Sequence, residues 1–254
     1  MILGTRKRLT IMNQLYQRKL LQPDHVFRLL HLSVKKKKPI SVIRLGDVMA
    51  KLLARKDIYT LKDVSPFLGI PYPPPPKLLR ALEHSVRHAT VVGVTYFPNR
   101  AKQLMQFMQA KQWKPKLITD SFINDQLYEN GYLHELIRTH RVALVGRSAE
   151  KAAKQLRKKN LHVAITVNLE HSRMLPQTFS FLKQKRNKWD IALVGASVPG
   201  RILCVHLTRR LKKTSVEIGH MMDALADPKE WKKHHDRMRF KKRWMKKLLK
   251  GNRA

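Results

Sequence analysis

Ser41-Val42-Ile43-Arg44-Leu45-Gly46-Asp47 reads as a short apolar strand that stops at a glycine and turns at once toward a helix. The same figure returns at Val142-Ala143-Leu144-Val145-Gly146-Arg147-Ser148 and at Ile191-Ala192-Leu193-Val194-Gly195-Ala196-Ser197. Apolar runs this short, each followed by helically spaced residues, are the mark of βαβ units. They predict an α/β fold with a mostly parallel, Rossmann-like sheet flanked by helices. Strands are expected at Ser41–Leu45, Thr90–Thr95, Val142–Val145, His162–Val167, Ile191–Val194 and Ser215–Ile218. Helices are expected at Asp47–Arg55, Lys77–His88, Arg100–Lys111, Ser121–Glu129, Ser148–Lys159, Pro176–Lys185 and Pro199–Leu211.

Outward from this body, residues 9–32 carry helical apolar spacing broken at Gln22-Pro23-Asp24, a lead-in that ends in the charge run Lys35 to Lys38. Asp24 is placed to cap the second of its helices. The prolines Pro73 to Pro76 fix φ and remove donors, so Phe67 to Pro76 is expected to be a stiff connection shaping a site mouth. At the other end, Asp227-Pro228-Lys229-Glu230 combines a capping residue, proline at the first helical position and glutamate at the third, which predicts a helix toward Gly251. The expected division is a helical lead-in over 1–38, an α/β domain over 39–226 and a basic, imperfectly amphipathic helical tail over 227–254.

The net charge is +36, of which the tail from Pro228 carries +10, so the body alone is strongly basic. Such a field attracts nucleic acid, anionic lipid or phosphate-rich polymers, and salt weakens each attraction. The single cysteine, Cys204, excludes a disulfide framework and a cysteine zinc cluster, and its apolar neighbours predict a buried thiol. The N-terminus lacks an apolar leader core, and no run approaches the roughly 20 apolar residues of a membrane span. These features predict a cytoplasmic protein, peripheral at most at the inner face of a membrane.

In an open parallel sheet, ligands bind beyond the carboxyl ends of the strands, where helix N-termini point N–H groups at anions. Arg44, Gly46 and Asp47, then Gly146 and Arg147, then Gly195 and Ser197 stand at those ends. Known nucleotide motifs do not fit them. Gly195 and Gly200 have P-loop spacing, but Arg201-Ile202 replaces the lysine and hydroxyl residue, and Gly146 starts no dinucleotide fingerprint. His84 and His88 lie one helical turn apart without the glutamate of a metalloprotease motif, and no nucleophile elbow occurs.

The order of these segments resembles GT-D glycosyltransferases, whose first strand and turn read Arg-apolar-Gly-Asp-Gly-Glu. Arg44-Leu45-Gly46-Asp47 is similar to that turn, Ala89 to Val94 to the second strand, and Thr119-Asp120-Ser121-Phe122-Ile123-Asn124 to a Ser/Thr-rich turn with an asparagine opening a helix. Val142 to Glu150, Trp189 to Ala196 and the Gly219-His220 pair resemble the closing features, so the likeness spans roughly residues 39 to 226. The resemblance implies transfer of a sugar from a nucleoside diphosphate donor, with an Asp-x-Glu pair holding manganese or magnesium at the leaving diphosphate. By the resemblance Asp47 is the catalytic and metal-binding position. Arg44, Gly46, Asn124, Gly146, Arg147, Gly195, Ser197 and His220 are the nucleotide-sugar positions. The sequence departs from the pattern at Val48-Met49, where glycine and glutamate are replaced, so one carboxylate is missing from the metal site.

Three readings follow from that departure. Arg44, Arg147 or Arg201 can stabilise a diphosphate where the metal is weakened. Alternatively the domain binds a nucleotide sugar without transferring it, or serves as a scaffold for a basic, nucleic-acid-binding surface. Asp47 can also be read as a helix cap, with no chemistry. In the tail, Lys232, Lys233, Lys241, Lys242, Arg243, Lys246 and Lys247 are the expected polyanion contacts, and Trp and Phe among them suit an anionic membrane surface somewhat better than duplex DNA.

Overall fold

A computed structural model describes residues 4–234. Seven parallel strands form one sheet: β1 (Ser41–Arg44), β2 (Val91–Val94), β3 (Leu117–Asp120), β4 (Val142–Val145), β5 (Ile165–Val167), β6 (Ile191–Val194) and β7 (Thr214–Glu217), in the order β3-β2-β1-β7-β6-β4-β5. The chain builds outward from β1 to β3, crosses to the other half for β4 and β5, and returns inward through β6 and β7 to pair β7 with β1. This reversal leaves a crevice beyond the carboxyl ends of the central strands.

Strand residues alternate between two cores, as the two-residue period requires. Ile43, Val92, Val145 and Val194 face one layer, where the helices Asp47–Ala54, Pro76–Arg87, Pro98–Ala110 and Ser197–Leu211 pack. Val42, Val91, Leu144 and Leu193 face the other, with Ile123–Glu129, Tyr132–Thr139, Ala149–Arg157 and Met221–Ala226. Both faces are therefore covered, which is why these strands read as continuous apolar runs. Cys204 lies in the first core, and burial pushes its thiol well up.

The lead-in is built into the domain. Its helices, Thr5–Tyr16 and Pro23–Lys35, put Leu9 and Met12 into one core and Val26 and Leu30 into the other. Leu21 bridges to Thr119 on the outer edge of β3, donating its N–H to the Ile118 carbonyl at 2.8 Å, and so covers an edge that would otherwise be open to pairing.

β3 and the proline connection differ from expectation, and the helices Tyr132–Thr139 and Met221–Ala226 add to it. β3 was not among the expected strands, and the resemblance gave Thr119 to Asn124 as a turn; Leu117-Ile118 is a short apolar signal, yet Thr119 and Asp120 extend the strand, buried with satisfied side chains. The prolines do not reach the site mouth: Pro75 and Pro76 start the helix Pro76–Arg87, and from this connection only Phe67 and Leu68 line the cavity described below. Of the tail, Pro228–His234 is helical, and the remainder lies outside the described residues. No described helix is long and apolar enough to cross a membrane.

Candidate functional site

A cavity of about 680 Å³ opens at the carboxyl ends of β1, β6 and β7. Arg44, Gly46, Asp47, Arg147, Gly195, Ser197 and His220 all line it, although they are spread over most of the chain. Asn124 and Gly146 stand immediately behind its wall. Asn124 Oδ1 accepts from Arg44 Nη1 at 2.8 Å while its Nδ2 donates to the Ile218 carbonyl at 2.9 Å. At Gly146, with φ at 148°, an added Cβ would lie 2.6 Å from the Gly195 carbonyl, so glycine there lets two strand-to-helix turns touch.

The cavity floor is an ion cluster centred on Glu217, a residue that sequence reasoning did not single out. Arg44 Nε donates to Glu217 Oε2 at 2.7 Å and its Nη2 to Oε1 at 3.2 Å, while Arg201 Nη2 lies 3.4 Å from Oε2. Arg201 also donates to the carbonyls of Arg44 and Ser197, each at 2.6 Å. Burial alone would raise Glu217, but Arg201 and Arg44 more than offset it and hold the carboxyl below its ordinary value. Burial likewise pulls Arg201 down, with Glu217 acting against it. Two guanidiniums on one carboxylate leave the floor with a net positive charge. The signal in the sequence was one charged residue of each sign closing two separate strands, Arg44 and Glu217, which is legible only once β1 and β7 are known to be neighbours.

Arg44 therefore lines the cavity with its guanidinium already committed to Glu217, Asn124 and the Ser121 carbonyl. Arg147 is different. It donates one hydrogen bond, from Nη2 to the Phe67 carbonyl at 2.9 Å, and rests 4.9 Å over the Phe67 ring, leaving most of its five donors for a ligand. Ser197 opens the helix Ser197–Leu211 toward the same space, and the first N–H groups of a helix have no partner within it. His220 Nε2 lies 3.2 Å from Asp125 Oδ1, and its ring sits 6.1 Å from that of Trp231. Phe67, Phe97 and Phe122 give the cavity an aromatic side, with Phe97 and Phe122 at 6.4 Å and Arg8 4.7 Å over Phe122.

Asp47 is the first residue of its helix, and the N-cap position expected of it is occupied by Gly46. Its Oδ1 accepts from Arg100 Nε at 2.6 Å, and its Oδ2 lies 3.6 Å from Lys51 Nζ. Arg100 also donates to Asp57 Oδ2 at 2.7 Å, and this bond leads the effects that raise Arg100 and lower Asp57. Both oxygens of Asp47 thus already face cations, and Met49 is buried with no oxygen to offer. Among the described residues no group of three or more His, Cys, Asp or Glu is placed to hold a metal ion. This donor set does not fit a resident divalent cation.

Of the polyanion positions, Lys232 and Lys233 are exposed on the helix Pro228–His234, whose Trp231 packs 6.0 Å from Tyr128 beside the cavity. Lys241, Lys242, Arg243, Lys246 and Lys247 lie outside the described residues.

The GT-D fold-like domain family matches residues 21–225. Among solved structures, the domain of unknown function 1792, described as having a distinct glycosyltransferase fold, superposes with a TM-score of 0.58 at 14% identity, covering 90% of this chain and 86% of that one. A structure described as a new glycosyltransferase from Streptococcus sanguinis gives 0.57 at 14% identity, with 85% of each chain covered. Among curated proteins none matches.

Proposed function

The chain belongs to the GT-D-like family, and on that premise we propose that its cavity holds the diphosphate of a nucleotide sugar and that the protein transfers the sugar to an acceptor. The observation that carries this reading is the net-positive Arg44–Glu217–Arg201 floor beneath Arg147, whose donors are largely uncommitted. A departing diphosphate gains charge as the glycosidic bond breaks, and fixed cations in a water-poor site stabilise it without reorganising. In this reading Arg147 binds the diphosphate directly and the N–H groups opening at Ser197 share its charge. Arg44 and Arg201 act as positioning residues, holding the floor through Glu217. Phe97, exposed at the cavity, offers a face on which a base can stack.

Because Arg100 and Lys51 take both oxygens of Asp47, the donor is bound without a tightly held manganese or magnesium ion. The same pairing favours a second reading, in which the cavity binds the nucleotide but Asp47 is not free to take an acceptor's proton, so transfer does not follow.

Titrating UDP, GDP and their glucose and mannose conjugates by calorimetry, in EDTA and then in manganese, tests binding. A nucleoside diphosphate is expected to bind equally in both, and Arg147→Ala to weaken it by about tenfold or more, the loss of a charge-assisted hydrogen bond. Affinity that vanishes in EDTA, or that survives Arg147→Ala intact, would refute this arrangement. Release of free UDP or GDP on addition of acceptor extracts separates transfer from binding alone.

A further inference from the structure

Because every strand is parallel, all the segments that lead into strands lie at one edge of the sheet, opposite the cavity. These segments are conspicuously cationic. Lys35 to Lys38 precede β1, Lys114 and Lys116 precede β3, and Arg157-Lys158-Lys159 precede β5. Arg186 and Lys188 lead into β6, and Arg209, Arg210 and Lys212 into β7. All of these side chains are exposed. Nearby carboxylates are already used: Glu83 by Lys111 at 3.0 Å, Glu135 by Arg138, and Asp190 by Arg141 at 2.7 Å. The lysine runs before β1 and β5 have no ion-pair partner among the described residues.

Helix C-termini also gather at this edge, and cations there complement their dipoles. Each helix end amounts to about half a negative charge, which one lysine more than answers. Runs of three and four cations in a single connection go well beyond that requirement. Seven strands spaced about 4.8 Å apart make the edge about 29 Å long, so the charges form a row rather than a point. An anionic membrane is a poorer match, because interfacial docking uses a contiguous apolar face. Leu32 and Phe181 are strongly exposed, but they belong to helices on opposite layers of the sheet and form no patch.

We infer that this edge is a nucleic-acid-binding surface that follows the phosphate backbone, separate from the cavity. Contacts of this kind release counterions and read no sequence. The described start of the tail, Pro228–His234, lies beside His220 at the opposite end of the sheet.

The test is fluorescence anisotropy of the full chain with labelled oligo(dT) of about 20 nucleotides over a potassium chloride series, beside flotation with phosphatidylserine vesicles. One variant carries Lys36→Gln and Lys38→Gln; a second carries Lys158→Gln, Lys188→Gln and Lys212→Gln. Each lost phosphate contact on a single strand lowers the log–log salt slope by about 0.7, so the slope should fall by about 1.4 in the first and about 2 in the second. Their combination should cost at least tenfold in affinity near 0.1 M salt, with thermal midpoints unchanged or higher as self-repulsion is relieved. Two separate sets keep the test valid if either misfolds. Wild-type affinity and slope in a folded variant would overturn the inference, as would binding to vesicles but not to the oligonucleotide, or to neither.

Discussion

Glu217→Ala should lower the thermal midpoint by about 6–20 °C, measured by circular dichroism at neutral pH. The substitution removes the one carboxylate between Arg44 and Arg201, all three side chains being at least nine-tenths buried. Breaking a buried ion cluster from one side costs about 3–5 kcal/mol, because the remaining charges stay desolvated and repel. For a domain of this size each kcal/mol shifts the midpoint by about 2–4 °C. The cluster also predicts an acid limb. Glu217 is held below its ordinary value in the folded state, so its contribution is fully present above the unfolded pKa and is lost as pH falls through the lower folded one. Glu217→Gln should flatten that limb while keeping the shape of the side chain. A midpoint change under about 2 °C in Glu217→Ala would mean that the cluster does not hold the floor.

Gly219→Ala should be nearly as damaging, although it adds a single methyl group. Gly219 has φ at 51°, and its added Cβ would lie 2.1 Å from Arg44 Nη2. Left-handed backbone costs about 1–2 kcal/mol for a residue with a side chain, and the guanidinium must also move away from Glu217. The expected result is a clear fall in thermal midpoint together with loss of nucleotide binding. Gly46→Ala provides the contrast: its φ is −77°, and nothing lies within 4 Å of the added atom. It should leave stability within about 0.5 kcal/mol, as a substitution at an uncrowded site does. Gly46→Leu, projecting into the cavity, should weaken the ligand without unfolding the protein. If both glycines respond alike, the cavity assignment is mistaken, since only Gly219 is locked by a neighbour.

That contrast marks where reading the sequence stopped. Gly46, Gly146, Gly195 and Gly219 look alike as residues that follow or near strand ends. Space around the Cβ position separates them: Gly46 faces open cavity, Gly146 touches the Gly195 turn, Gly195 abuts Met222, and Gly219 makes room for Arg44. Asp47 shows the same limit. Its neighbours in sequence reveal the missing glutamate at Met49, but Arg100, which takes its Oδ1, arrives from a helix that begins some fifty residues later. The body's charge already pointed to a polyanion, but individual contacts could be named only in the tail, because the row along the sheet edge needed the strand directions before scattered lysines could be seen as one surface.

Local pattern determined the parallel α/β fold, because strands buried on both faces need unbroken apolar runs and crossovers need helices, and both requirements are written in consecutive residues. It also located the strand ends that line the cavity. Tertiary structure alone decided which charges remain available there. Whether an arginine is free for a phosphate or bound to a carboxylate depends on a partner brought close by the sheet order, as β7 brings Glu217 to Arg44 across 173 residues of chain.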